Sequence, residues 1–224
     1  MSRTIVVGDI HGCYDELGLL LEKTGLHPQD RVIAVGDLVT KGPKSREVLE
    51  LFRTDDRFLS VLGNHDLALL RHWRGEGQPL KNSQARTAAD LDTDSELYCE
   101  FLGSLPLMID LGEHIVVHAG IRPGVPFDEQ SAEDLTELRT LGKDRTSRKG
   151  DPWFESYDSS KTVLFGHWPS PKPIRAAKAI GLDTGCVYGN RLTGYIIEAD
   201  QFVSVAALQA YDRPSKRMAK AGSN

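Results

Sequence analysis

The chain has 224 residues, 40% of them hydrophobic and 26% charged, with a formal net charge of −5. That length and apolar share suit one domain with a substantial core, and the acidic balance excludes a nonspecific nucleic-acid surface, which needs clustered Lys and Arg. No apolar run approaches the roughly 20 residues that span a bilayer, no leader precedes the first strand at Thr4, and Cys13, Cys99 and Cys186 are too scattered for a disulfide framework, so a cytoplasmic protein with reduced thiols is expected.

Arg3 to Val7, Arg31 to Val35 and Phe58 to Leu62 are short apolar or β-branched runs, each stopped by a glycine, and they read as buried strands. Between them Leu17, Leu20, Leu21 and Thr24 share one helical face before Gly25, and Val48, Leu51 and Phe52 share another. This β-α-β-α-β alternation favours parallel strands whose carboxyl ends gather ligands. A long polar stretch from Gly75 to Asp94 reads as an exposed loop. The second half is largely β, with strands at Ile115 to Val117, Val163 to Phe165, Ala179 to Leu182, Tyr195 to Glu198 and Phe202 to Ala206. Asp200-Gln201 is the expected turn of a closing hairpin. A single α/β domain with a two-layered mixed-sheet core is therefore expected over residues 1–211. Asp212 to Asn224 has no apolar period and four basic side chains, which predicts a disordered basic tail.

Five motifs close these strands in order: Gly8-Asp9-Ile10-His11-Gly12, Gly36-Asp37-Leu38-Val39-Thr40-Lys41-Gly42, Gly63-Asn64-His65-Asp66, His118-Ala119-Gly120 and Gly166-His167. One of them alone reads as a glycine-flanked strand exit, whereas the ordered set points to chemistry. Aspartate, histidine and asparagine donors suit a pair of manganese, iron or zinc ions better than thiolates would. Such a pair can hold a hydroxide in line with phosphorus. Its charge, set against Asp9 and Asp37, would make an acidic protein locally attractive to anions.

The motifs resemble the phosphoprotein phosphatase branch of the calcineurin-like metallophosphatases. Across Gly8 to Leu17, Gly36 to Val39, Gly63 to Leu67, Phe165 to Trp168 and Leu182 to Cys186 the chain is more closely similar to ApaH-type diadenosine tetraphosphatases and ApaH-like phosphatases. The resemblance implies a calcineurin-like fold, a central two-sheet β-sandwich of mixed strands flanked by helices. It also implies a hydrolase in which a hydroxide bridging two divalent ions, manganese by expectation, attacks phosphorus. By motif, Asp9 and His11 would bind the first ion, Asp37 both, and Asn64, His118 and His167 the second. Pro169 stands where cyclic-nucleotide and nuclease relatives carry another histidine, which favours the phosphatase branch.

His65 would protonate the leaving oxygen or stabilise its charge. In protein phosphatases an aspartate orients this histidine, but Thr40 occupies its place, so Asp66 becomes a candidate supporting group. Lys41 replaces a phosphate-binding arginine and offers a point charge instead of a fork. Asn64 is a further phosphate-contact candidate, and Arg139 is the candidate second clamp, with Arg122 and Arg148 as alternatives. Trp153, Trp168 and Tyr188 are candidate stacking faces for a base, with core packing expected for at least two of them. Arg71, Arg74, Lys81 and Arg86 would meet distal phosphates if the polar stretch overhung the pocket.

A serine alkoxide needs a proton to leave, whereas a nucleotide phosphate, with a second ionisation near roughly 6, leaves as a stabilised anion. Weakened acid help at His65 therefore suits a phosphoanhydride. The expected substrate is a dinucleoside polyphosphate such as diadenosine tetraphosphate, cleaved to two ADP. A Ser/Thr or Tyr protein phosphatase with the same metals is the alternative, ahead of a polyphosphatase, an RNA-cap hydrolase or an inactive metal-binding scaffold. The expected partner is thus a small anionic nucleotide or a phosphoprotein, and no membrane. The chain is shorter between His118 and Trp153 than better-known bacterial tetraphosphatases, which would leave the metals open.

Overall fold

The computed structural model describes residues 2–213. The first half runs β1 (Thr4–Val7), α1 (Tyr14–Thr24), β2 (Arg31–Ala34), α2 (Ser45–Thr54), β3 (Phe58–Ser60), α3 (Asn64–Trp73), α4 (Asn82–Asp90) and α5 (Ser95–Ser104). The second runs β4 (Met108–Asp110), β5 (His114–Val117), α6 (Ala132–Glu137), α7 (Trp153–Ser156), β6 (Thr162–Phe165), β7 (Ile174–Arg175), β8 (Ala179–Gly181), β9 (Arg191–Ile196) and β10 (Gln201–Ala206).

These strands form two five-stranded sheets, ordered β10-β9-β1-β2-β3 and β4-β5-β6-β8-β7. β1, β2 and β3 are parallel, as the alternation with helices requires, and β9 returns antiparallel to β1. In the second sheet β5, β6 and β8 are parallel, with β4 and β7 antiparallel at the edges. The sheets face each other through Val6, Ile33, Val35 and Val61 on one side and Val116, Leu164, Ile180 and Leu182 on the other. Strands covered on both faces need apolar side chains in both directions, which is why β1 reads as an unbroken buried run. Leu17 and Leu20 of α1, Val48, Leu49 and Phe52 of α2, and Leu69 of α3 cover the outer face of the first sheet. Leu135 of α6 and Trp153 and Phe154 of α7 cover that of the second. Full burial of each such side chain contributes about 1.5–3 kcal/mol.

The structure corrects several expectations. The stretch from Gly75 to Asp94 is not a loop throughout, because α4 forms within it and turns Gln84, Thr87 and Ala88 inward. Its buried stripe is made of small and polar residues, so it lacks the Leu and Val periodicity that marks α1. The strand expected from Tyr195 to Glu198 starts earlier, at Arg191, and ends at Ile196. Residues Ile197–Ala199 make a 3-10 turn, Asp200 adopts a left-handed backbone (φ 48°), and Gln201 already pairs with Ile196. The hairpin stands, with a turn other than Asp200-Gln201. Of the expected tail, Asp212 still donates its N–H to Val187 O at 3.0 Å. Residues 214–224 lie outside the described residues.

Candidate metal centre

Parallel strands bring their carboxyl ends to one rim. β1 delivers Asp9 and His11, β2 delivers Asp37, β3 leads into Asn64, β5 into His118, and β6 into His167. Close approach of these loops depends on missing side chains. A Cβ on Gly63 would lie 2.3 Å from Asp37 Oδ1, and one on Gly166 would lie 2.0 Å from Asp9 Oδ1. His11, Asp37 and His167 all take left-handed backbones, with φ of 50°, 51° and 60°. Such residues concentrate where surrounding structure enforces them. Here His11 N donates to Asp37 O at 2.7 Å and Gly42 N donates to His11 O at 2.9 Å, locking the first two loops together.

The histidines are oriented through backbone carbonyls. His11 Nδ1 donates to Val39 O at 3.1 Å and His118 Nδ1 to Val35 O at 2.8 Å, so each Nε2 presents a lone pair to the site. His11 Nε2 lies 3.4 Å from Asp37 Oδ2, and His118 Nε2 lies 3.5 Å from Asp37 Oδ1. Asn64 Oδ1 sits 3.0 Å from both His118 Nε2 and His167 Nδ1. His167 N donates to both oxygens of Asp9, at 3.1 and 3.2 Å. Donor atoms of Asp9, Asp37 and His118 all fall within 4.8 Å of one another, as do those of His11, Asp37 and His65. His118 Nε2, Asn64 Oδ1 and Asp37 Oδ1 thus converge on one spot, and these residue types fit divalent metals. Lys41 Nζ lies 2.7 Å from His11 Nε2.

Burial and nearby charge set the protonation. Burial and the Lys41 ammonium hold the His11 imidazole down to about 3, and burial keeps His65 and His167 well below the ordinary histidine value. Neutral imidazoles are the form that binds metal. Burial, then Asp183 and Asp37, push Asp9 upward. The motifs assign no role to Asp183, although Leu182-Asp183-Thr184-Gly185 follows an apolar run just as the other motifs do. It is buried, accepts from Gly185 N at 3.0 Å, and is also pushed upward by burial. The charge balance drawn from Asp9 and Asp37 therefore needs this third carboxylate.

The remaining candidates separate. His65 Nδ1 lies 2.7 Å from Thr40 Oγ1, and His65 N donates to Asp37 Oδ1 at 2.9 Å. Asp66 does not support the His65 ring. Its oxygens accept from Val39 N at 3.2 Å and Gly63 N at 3.0 Å, so it ties loops together and caps α3, and burial beside Asp37 pushes it up to about 8. Lys41 lies over the Tyr188 ring at 5.4 Å. Arg139 donates through Nη2 to His167 O at 3.0 Å and through Nη1 to Thr146 O at 3.1 Å, and among the described residues it makes no ion pair, although the carboxylates of Asp183, Asp9 and Asp37 act on its charge. Arg122 is paired with Asp134 at 2.7 Å, which removes it as a clamp. Arg148 lies over Trp168 at 4.9 Å. Trp153 is wholly buried and donates to Ala119 O at 3.1 Å, so it belongs to the core. A surface hollow of about 610 Å³, bounded by Leu19, Lys23, Arg191 and Val205, contains none of these groups.

Comparison with known proteins places this geometry. The calcineurin-like phosphoesterase family profile matches residues 2–202. The chain is 30% identical to the asymmetrical bis(5'-nucleosyl)-tetraphosphatase PrpE of Bacillus subtilis (strain 168), with 92% of this chain and 96% of that protein covered. It is also 30% identical to the symmetrical bis(5'-nucleosyl)-tetraphosphatase of Neisseria meningitidis serogroup A, again over 92% and 96%. A crystal structure provisionally described as a diadenosine tetraphosphatase superposes with a TM-score of 0.80 at 35% identity, covering 92% of this chain and 94% of that one. A serine/threonine phosphatase structure from Saccharomyces cerevisiae shares the fold at a TM-score of 0.64 and 15% identity, over 96% of this chain and 82% of that one. The family match spans every strand that delivers a candidate ligand, and the chain belongs to the calcineurin-like phosphoesterases, enzymes whose hydrolysis depends on bound metal.

Proposed function

We propose that the protein hydrolyses dinucleoside polyphosphates such as diadenosine tetraphosphate at the central anhydride, releasing two ADP. The observation carrying this reading is the 2.7 Å pairing of His65 with Thr40. A hydroxyl cannot sustain an imidazolium as a carboxylate does, so acid help is weak and an anhydride, whose leaving group is already a stable anion, is the better substrate. The names of the bacterial relatives support the same substrate class.

Asp9 and His11 would hold one divalent ion, Asp37 both, and Asn64, His118 and His167 the other, with manganese expected. Bound ions supply a nucleophile from water near neutral pH and offset phosphoryl charge. The chain's own groups do the rest. Lys41 and Arg139 flank the centre and oppose the charge of the phosphate chain, Asn64 orients a phosphoryl oxygen, and His65 offers an N–H to the departing oxygen. No helix among the described residues is long and apolar enough to cross a membrane. A cytoplasmic setting is part of the proposal.

A second reading, an off-centre cut to ATP and AMP, is favoured by the PrpE relative. Chromatographic analysis of manganese-loaded protein given diadenosine tetraphosphate and a phosphopeptide in parallel, with Asn64→Ala as control, decides. Two ADP formed faster than peptide phosphate is the expected result, and ATP with AMP establishes the second reading. Rapid peptide dephosphorylation with an intact dinucleotide defeats both.

A further inference from the structure

Beside the metal centre lies a cleft of about 270 Å³, lined by Lys41, Gly42 and Pro43 on one side, Ser83, Arg86, Thr87 and Asp90 on another, and Tyr211. The α4 residues stand at i, i+3, i+4 and i+7, one face of that helix. Lys41 belongs to both spaces, since its Nζ is 2.7 Å from His11 Nε2. Lys41 is thus the residue that the cleft shares with the centre.

Its charges are ordered along the helix. Lys41 and Arg86 are cationic, and Lys81, at the amino end of α4, is near enough to His65 to help hold its imidazole neutral. Asp90 lies seven residues beyond Ser83, about 10 Å along the axis at 1.5 Å per residue. Neither the Arg86 guanidinium nor the Asp90 carboxylate has an ion pair or side-chain hydrogen bond among the described residues. They do not pair with each other, although four residues separate them on one helix. Tyr211 is held by its hydroxyl, which donates to Glu16 Oε1 at 2.9 Å, so its ring is a fixed wall.

Lys41 at the centre, Arg86, a free carboxylate one helical turn beyond Arg86 and an anchored aromatic ring offer partners to the phosphates, ribose diol and base of a nucleotide. A carboxylate accepts from both hydroxyls of a diol and repels phosphate, which fixes the direction of binding. We infer that the cleft between α4 and the Lys41–Pro43 loop is the subsite for one nucleoside-phosphate arm of the dinucleoside polyphosphate, with Arg86 on the phosphate chain and Asp90 on the ribose. The inference rests on the substrate class proposed above.

Arg86 is exposed and Ser83 half-buried on the solvent side of α4, so Arg86→Gln and Ser83→Trp are expected to fold, which circular dichroism and melting check. Steady-state kinetics with diadenosine tetraphosphate and p-nitrophenyl phosphate is the test. Arg86→Gln should raise the ratio of the dinucleotide KM to the monoester KM about tenfold, a loss of about 1.4 kcal/mol, and Ser83→Trp should raise it further. An unchanged ratio in both variants overturns the subsite. If the wild type leaves the dinucleotide intact, the proposed substrate fails, and inhibition of p-nitrophenyl phosphate hydrolysis tests the cleft independently. ADP should then inhibit at least tenfold better than pyrophosphate in the wild type and lose that advantage in Ser83→Trp. ADP no better than pyrophosphate in the wild type overturns the inference.

Discussion

Thr40 joins strain to chemistry at a single residue. A β-branched side chain at φ 75° is an outlier that costs about 1–3 kcal/mol, and it persists because Thr40 N donates to Ser45 Oγ at 3.0 Å while Oγ1 meets His65 Nδ1. A hydroxyl can donate to Nδ1, which leaves the imidazole proton on Nε2 without adding charge. A carboxylate only accepts there, so it would place a proton on Nδ1 and favour an imidazolium. Thr40→Asp should therefore raise phosphomonoester hydrolysis relative to anhydride hydrolysis by about tenfold, within the range of general acid effects. Equal turnover ratios in the two proteins would remove the link between Thr40 and substrate choice.

Whole elements differ in how openly the sequence announces them. α1 and α2 bury Leu, Val and Phe at helical spacing, and β1 and β2 are β-branched runs ended by glycine, so periodicity exposes them. α5 buries only Tyr98 and Leu102, and β9 contains Gly194, so neither shows a usable pattern. The same holds in the site. Candidate ligands placed directly after apolar runs are legible, whereas the setting of Arg148 over Trp168 depends on how a loop returns. Arg3 and Asp30 show how elements are joined. Arg3 donates to Asp30 Oδ2, to Thr24 O at 3.0 Å and to Gly25 O at 2.7 Å, so one guanidinium caps α1 and ties β1 to the turn before β2. The Arg3 guanidinium holds the buried Asp30 carboxyl below its usual range. A carboxylate with a depressed folded-state pKa contributes stability that is present above about pH 4 and is lost as pH falls through the lower, folded-state value. Asp30→Asn should therefore cost about 2 kcal/mol at pH 7 in urea unfolding, with the difference shrinking below pH 4. A deficit that stayed constant down to pH 2 would mean that packing, not charge, holds this joint. Trp153 gives the matching case for α7. Trp153→Phe should cost about 1 kcal/mol by leaving Ala119 O unpaired, and Trp153→Ala about 3–5 kcal/mol, both read from the same urea titrations.

At the scale of the molecule, the candidate metal centre is where two sheets meet. Asp9, His11, Asp37 and Asn64 follow strands of the first sheet, and His118, His167 and Asp183 follow strands of the second. Apolar contacts such as Val6, Ile33, Val116 and Leu164 hold the rest of the sandwich, but at this rim the buried carboxylates of Asp9, Asp37 and Asp183 face one another. Uncompensated buried charge opposes folding, and Lys41 offsets only part of it. Divalent ions would relieve that repulsion and cross-link the sheets at once. An ion present at 100 times its dissociation constant adds about 2.7 kcal/mol of stability, and for a chain of this length each kcal/mol raises the melting temperature by about 2–4 °C. Chelator-treated protein should thus gain about 5–10 °C when manganese is restored, and His118→Ala should lose most of that gain. Hydrogen exchange then separates a cross-link from a site owned by one sheet. Manganese should slow amide exchange in β5 and β6 as well as in β1 and β2, whereas protection confined to β1 and β2 would mean that the second sheet contributes no ligand.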